Sequence, residues 1–181
     1  MQCYKSNSMQ FYISSFKIGN ESEKLFDLFG EEKTIAYISN ALDFAKLESK
    51  QKHVDWDIND LTLAGFEVMP IDLKDYFGKQ EQLEKVLAHV QGVYVSGGNT
   101  YDLRRAMQLS GLDTILTEKL LPTHFVYAGY SAAGCVLSKT LKGYDIVDDP
   151  NLHTYGEYEI MWEGLGIIDW QFAPHFDSNH H

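Results

Sequence analysis

The chain has 181 residues, 44% of them hydrophobic and 13% aromatic, and a formal net charge of −11. That length supports one well-buried core and is short for two, and the acidic balance excludes a polyanionic partner, whose phosphates need clustered Lys and Arg. Only two arginines occur, Arg104 and Arg105, and the two cysteines, Cys3 and Cys135, form neither a disulfide framework nor a C-x-x-C pair. No apolar run approaches the roughly 20 residues that cross a bilayer, and the first residues lack a charged head followed by an apolar stretch. The sequence therefore predicts a soluble, cytoplasmic single domain, monomeric or homodimeric, that engages neither nucleic acid nor membrane.

In chain order, short apolar runs predict strands at 10–14, 34–39, 66–71, 92–96, 125–129 and 171–174, each buried on both faces. Helical patterns lie between them. Residues 21–29 carry Leu25, Phe26, Leu28 and Phe29 on one side, and residues 41–64 read as one long charged helix or two, stopped at Gly65. Residues 81–90 repeat Leu83, Val86, Leu87 and Val90, and residues 113–121 are bounded by Gly111 and Pro122. The alternation predicts an α/β fold, a three-layer sandwich with a mainly parallel central sheet, in which ligands bind beyond the carboxyl ends of the strands. Residues 142–158 lack periodicity and read as an irregular loop beside the site.

Three strand ends carry chemistry. At Phe125-Val126-Tyr127-Ala128-Gly129-Tyr130-Ser131-Ala132-Ala133-Gly134 an apolar run breaks into small residues around a serine, the pattern by which hydrolytic α/β enzymes expose a nucleophile. The plainer alternative is a strand-to-helix turn with Ser131 as N-cap. At Ser96-Gly97-Gly98-Asn99-Thr100, paired glycines precede a helix capped by Asn99 or Thr100. Bare amides there suit an oxyanion hole at Gly98 and Asn99, joined by the amide of Ala132; a phosphate loop or a simple turn are the rivals. The third end is Pro174-His175-Phe176-Asp177-Ser178. A serine hydroxyl needs a base that titrates near the working pH, and His175 is the histidine at a strand end. His53, His89, His124 and His153 read as structural or solvated. No H-E-x-x-H or carboxylate-histidine cluster occurs at ligand spacing, so neither a metal nor a cofactor is expected.

These three motifs, in this order and spacing, resemble the peptidase E (aspartyl dipeptidase) family of serine peptidases, which includes the cyanophycinases. The resemblance runs from about Met9, leaving residues 1–8 as an N-terminal extension. It implies a fold similar to class I glutamine amidotransferase domains (flavodoxin-like), Ser131 as nucleophile, His175 as general base, and Gly98, Asn99 and Ala132 as oxyanion donors. It also implies a short-peptide substrate, Asp-X dipeptides among them, whose aspartyl carboxylate Arg104 or Arg105 would clamp unless both form a solvated helix face. The triad carboxylate is expected downstream of the histidine. Asp177 is one choice, Asp145, Asp148, Asp149, Glu157 and Glu159 are others, and a position past His181, with the domain truncated at its C-terminus, is the last. Two functions are thus carried forward: a serine peptidase acting through an acyl-enzyme on Ser131, or a catalytically impaired or non-catalytic small-molecule sensor of the same fold.

Overall fold

The structure, a computed structural model, describes residues 8–175. In chain order come β1 (Gln10–Ser14), α1 (Ser22–Leu28), β2 (Thr34–Ile38), α2 (Leu47–Leu63), β3 (Glu67–Ile71), α3 (Gln80–Leu87), β4 (Gly92–Val95), α4 (Thr100–Ser110), α5 (Leu112–Thr114), β5 (Val126–Tyr130) and α6 (Ala132–Cys135). Among the described residues the strands form one five-stranded sheet in the order β1-β5-β4-β2-β3, every neighbouring pair parallel. Parallel strands need helical crossovers, and these cover both faces.

Strand alternation sorts the core. In β2, Ile35 and Tyr37 face a cluster with Leu25 and Phe29 around α1 and Leu61 of α2, while Ala36 and Ile38 face Leu83 of α3 and Leu103 and Met107 of α4. The result is the expected three-layer sandwich. The chain runs outward from β2 to β3 and then returns to place β4 on the other side of β2, so the strand order reverses between β2 and β4. Such a reversal leaves a crevice at the carboxyl ends, because the two connections diverge onto opposite faces.

Two expected elements differ. Residues 113–121 are not one α-helix: α5 runs into a π-helical segment, Ile115–Leu120, closed by the Leu121 amide donating to the Leu116 carbonyl at 2.9 Å before Pro122, which has no N–H to continue the ladder. Residues 171–174 form no strand. Phe172 instead packs with Tyr101, Cys135, Leu141 and Tyr144, and its carbonyl accepts from the Tyr144 hydroxyl at 2.8 Å, so side chains satisfy backbone that a sheet would otherwise pair. The 41–64 stretch resolves into a 3₁₀ turn, Asn40–Leu42, and the single helix α2. The segment 142–158 is irregular as read, holding only the 3₁₀ turn Tyr144–Ile146.

Helix α2 is seated largely through two residues one turn apart, Asp57 and Leu61. Leu61 is fully buried and contributes about 2 kcal/mol by burial alone. Asp57, 3% exposed, accepts from the Tyr37 hydroxyl at 2.9 Å and the Tyr130 hydroxyl at 3.0 Å, tying α2 to β2 and to the last residue of β5. Burial raises the Asp57 carboxyl above its usual range, against the pull of both phenols. Asp57→Ala strands two buried hydroxyls and is expected to cost about 2–4 kcal/mol. Asp57→Asn keeps an acceptor and recovers most of that loss, as urea midpoints of the two variants will read.

Candidate active site

Ser131 joins β5 to α6 with φ 51° and ψ −109°. That combination is sparsely populated for a residue with a Cβ and costs about 1–3 kcal/mol, which the surroundings must supply. The Ser131 amide donates to the Ser14 carbonyl of β1 at 3.1 Å, and its own carbonyl accepts from the Gly134 and Cys135 amides at 2.8 and 3.2 Å. The hydroxyl makes no capping bond to α6, so the plain N-cap alternative does not describe it.

The loop after β4 closes against this turn. A Cβ on Gly97 would lie 2.5 Å from the Tyr130 ring, and one on Gly98, whose φ is 141°, would lie 2.2 Å from the Ala41 carbonyl oxygen. Only glycines allow the approach. The Asn99 amide donates to that same Ala41 carbonyl at 2.8 Å. This corrects the expectation that Asn99 supplies an oxyanion amide: it is already committed. The Asn99 side chain instead caps α4, its Oδ1 accepting from the Tyr101 and Asp102 amides at 2.9 Å each and its Nδ2 donating to the Asp149 carbonyl at 2.9 Å.

A cavity of about 820 Å³ opens at the crevice, lined by Phe16, Leu42, Phe44, His53, Gly97, Gly98, Tyr130, Ser131, Asp148 and His175. Strand ends and loops from both sides of the β2/β4 reversal meet here. His175 is half-buried, has a positive φ of 60°, and its ring centroid lies 6.4 Å from that of Phe16. Two members escaped the sequence reading. His53, set aside as structural or solvated, lines the cavity from α2, with its Nδ1 2.8 Å from the Ser49 carbonyl. Asp148, one of five loop acids left undistinguished, is the one that reaches the cavity; its Oδ2 accepts from the Thr100 amide at 2.9 Å, and burial raises its carboxyl above the usual range. Asp145, Asp149, Glu157 and Glu159 do not line it, and Asp177 lies outside the described residues, as do residues 1–7.

The arginines are occupied elsewhere. Arg104 is 8% exposed, paired with Asp113 at 2.9 Å and donating from Nε to the Glu163 carbonyl at 3.1 Å, which corrects the reading of a solvated face. Arg105 lies over the Tyr158 ring at 4.6 Å and donates to Gln108 Oε1 at 2.5 Å. Neither lines the cavity. Among the described residues no cluster of His, Cys, Asp or Glu is arranged to hold a metal ion, and no helix is long and apolar enough to cross a membrane. Cys135 is buried, and that burial pushes its thiol up to about 12, so it is no nucleophile.

Asp102, in the first turn of α4, is 1% exposed; its Oδ2 accepts from the Thr154 hydroxyl at 2.6 Å, and its Oδ1 has no hydrogen-bond partner. Burial first, then the nearby Asp43, Asp148 and Asp149, push its carboxyl up from 3.8 to about 6. The native state therefore binds this proton more tightly than the unfolded chain, and stability falls as pH rises through that window, by up to about 3 kcal/mol. Asp102→Asn is expected to flatten the fall, gaining on the parent protein at pH 7 relative to pH 4, as unfolding midpoints at the two values will measure. At Ser131, glycine adopts the strained dihedrals freely while alanine does not. Ser131→Gly is thus expected to be about 1 kcal/mol more stable than Ser131→Ala, despite glycine's greater unfolded-state entropy, in the same assay.

A profile of peptidase family S51 matches residues 14–181. The uncharacterized peptidase Lin0382 of Listeria innocua serovar 6a is 24% identical over 171 residues, which span 93% of this chain and 76% of that protein. In fold, the chain is similar to a peptidase E candidate from Listeria monocytogenes EGD-e (TM-score 0.77, 18% identity, 96% of this chain and 82% of that one). It is also similar to a peptidase from an acI-B1 Actinobacterium (TM-score 0.72, 16% identity, 95% and 70%). With the family profile covering nearly the whole chain, including the serine turn, the glycine loop and His175, the protein belongs to peptidase family S51 and is a serine-type peptidase.

Proposed function

We propose that the chain hydrolyses short peptides through an acyl-enzyme on Ser131. The observation that carries this reading is the strained turn that holds Ser131 on the wall of a cavity shared with His175 and the Gly97-Gly98 loop. A strained strand-to-helix turn keeps a nucleophile forward of its own helix, in the manner of a nucleophile elbow.

In this mechanism the Ser131 Oγ attacks the scissile carbonyl carbon while the His175 imidazole takes its proton. The carbonyl oxygen, now negative, is met by the amides of Gly98 and Ala132; losing one such donor typically costs about a hundred- to a thousand-fold in rate. Collapse of the tetrahedral intermediate breaks the C–N bond, and the imidazolium returns the proton to the leaving amine. Water then enters, gives a proton to His175 and attacks the ester, and the carboxylic acid leaves with Ser131 restored. Support for the Gly98 donor comes from the geometry of the loop, where the Asn99 amide is spent on Ala41 while Gly98 borders the cavity.

A serine-directed fluorophosphonate is expected to label the protein at Ser131 between pH 6 and 9, and Ser131→Ala is expected to lose labelling together with at least about a thousand-fold of dipeptide turnover. Equal turnover by the two proteins removes Ser131 as nucleophile. Absence of labelling, with ligand binding intact, favours the non-catalytic sensor.

A further inference from the structure

The lining of the cavity around Ser131 combines two unlike chemistries. Phe16, Leu42, Phe44 and Tyr130 make the apolar part of the lining, and Phe16 and Phe44 are 60% and 49% exposed, so two aromatic rings stand open to water. Asp148 joins them in the lining as the one carboxylate, and neither lysine nor arginine occurs among the described lining residues.

Asp148 is held in place rather than swinging freely. Its Oδ2 accepts from the Thr100 amide, and the next residue of its loop, Asp149, takes the Asn99 Nδ2 on its carbonyl, so the loop is stapled to the start of α4. Thr100 lies two residues past Gly98. The carboxylate is thereby fixed beside the loop that faces the scissile carbonyl in the mechanism above. In a peptide, the α-nitrogen of the first residue is separated from its carbonyl carbon only by Cα, about 2.5 Å across standard bonds. An acid anchored beside the oxyanion loop therefore meets a free α-ammonium as soon as the first peptide bond is seated. Burial already raises the Asp148 carboxyl, and an arriving cation relieves that cost.

The first side chain leaves the same Cα, inside a cavity whose lining also includes Phe16, Leu42, Phe44 and Tyr130. An aspartyl carboxylate there meets aromatic rings and the field of Asp148 in a chain of net charge −11, with Arg104 and Arg105 engaged elsewhere. An apolar side chain buries surface on Phe16 and Phe44. We propose that this site takes short peptides with a free α-ammonium, held by Asp148, and an apolar or aromatic first residue set against Phe16 and Phe44, in preference to Asp-X peptides. The proposal rests on Ser131 as the nucleophile.

The test compares Phe-Ala, Asp-Ala and N-acetyl-Phe-Ala on the full chain and on Asp148→Asn. The parent protein is expected to favour Phe-Ala over Asp-Ala by at least about ten-fold in kcat/KM. It is expected to lose about a hundred-fold when the amine is acetylated, because Asp148 is then left unpaired. In D148N, whose amide oxygen still accepts from Thr100, the ratio of free to acetylated peptide is expected to fall toward one, through KM. A preference for Asp-Ala overturns the proposal, as does an unchanged ratio in D148N. An equal loss of kcat on all three peptides also overturns it, by assigning Asp148 to the orientation of His175. Calorimetric binding of uncleaved Phe-Ala and Asp-Ala to Ser131→Ala reads the preference without turnover: tighter Phe-Ala supports the proposal, and tighter Asp-Ala sinks it. Turnover surviving in Ser131→Ala fails the nucleophile reading instead, so the two failures are distinct.

Discussion

The backbone of Ser131 is the constraint around which the site is organised. At φ 51° and ψ −109° the residue sits where a side chain is unwelcome, and no local hydrogen bond of its hydroxyl compensates. The compensation comes from both neighbouring strands. β1 takes the Ser131 amide on Ser14, and β4 approaches so closely that a Cβ on Gly129 would lie 2.3 Å from the Val95 carbonyl oxygen. Only a strand flanked by two parallel partners can be clamped this way, and the sheet order gives β5 that position. The strain is local, while the structure that sustains it is the sheet.

Polar burial extends this clamp downward. Tyr130, the residue before Ser131, lines the cavity with its ring and anchors its hydroxyl on Asp57, which shares the same oxygen with Tyr37. A desolvated carboxylate is a costly anchor, and it is tolerable because two phenols donate to it and Lys17 lies near enough to act on its charge. Lys17 does more than neutralise. It pairs with Asp60 at 3.5 Å and lies over the Trp56 ring at 4.6 Å, mooring to α2 the loop that carries Phe16. The serine turn and the aromatic wall of the cavity thus depend on one helix, α2, which its buried face alone would hold weakly.

Much of this was legible in the sequence because it is local. The five strands follow from apolar runs and end within a residue of where those runs break, and the glycine loop and serine turn follow from small residues at strand ends. What escaped is long-range. Arg104 read as a surface residue because helical spacing cannot foresee Asp113 folding back across the Gly111 break to meet it. Asn99 read as an oxyanion donor because nothing in its neighbourhood announces the Ala41 carbonyl, supplied by the turn after β2. Residues 171–174 had strand composition, yet side-chain donors from Tyr144 and Cys135 claimed the Phe172 carbonyl that a sheet would use. Asp148 and His53 carry no motif at all; their place in the cavity is a property of the tertiary fold.

In the function proposed for this chain, chemistry and selectivity fall to different parts of it, and that separation has a topological cause. Ser131 and the glycine loop sit directly on the carboxyl ends of β5 and β4, where the sheet dictates their geometry. Phe16, Phe44 and Asp148 sit on the connections after β1, after β2 and after α6, which the sheet spaces but does not shape. In the proposed mechanism a displaced serine turn would abolish turnover, whereas a lining residue on a connection can change without disturbing the clamp beneath it. A relative at 24% identity can therefore share the strand-end machinery while its walls select a different first residue. Here the lining is aromatic and acidic, and both arginines of the chain are spent tying α4 to neighbouring segments, so selectivity has to be read from the cavity rather than inherited with the fold.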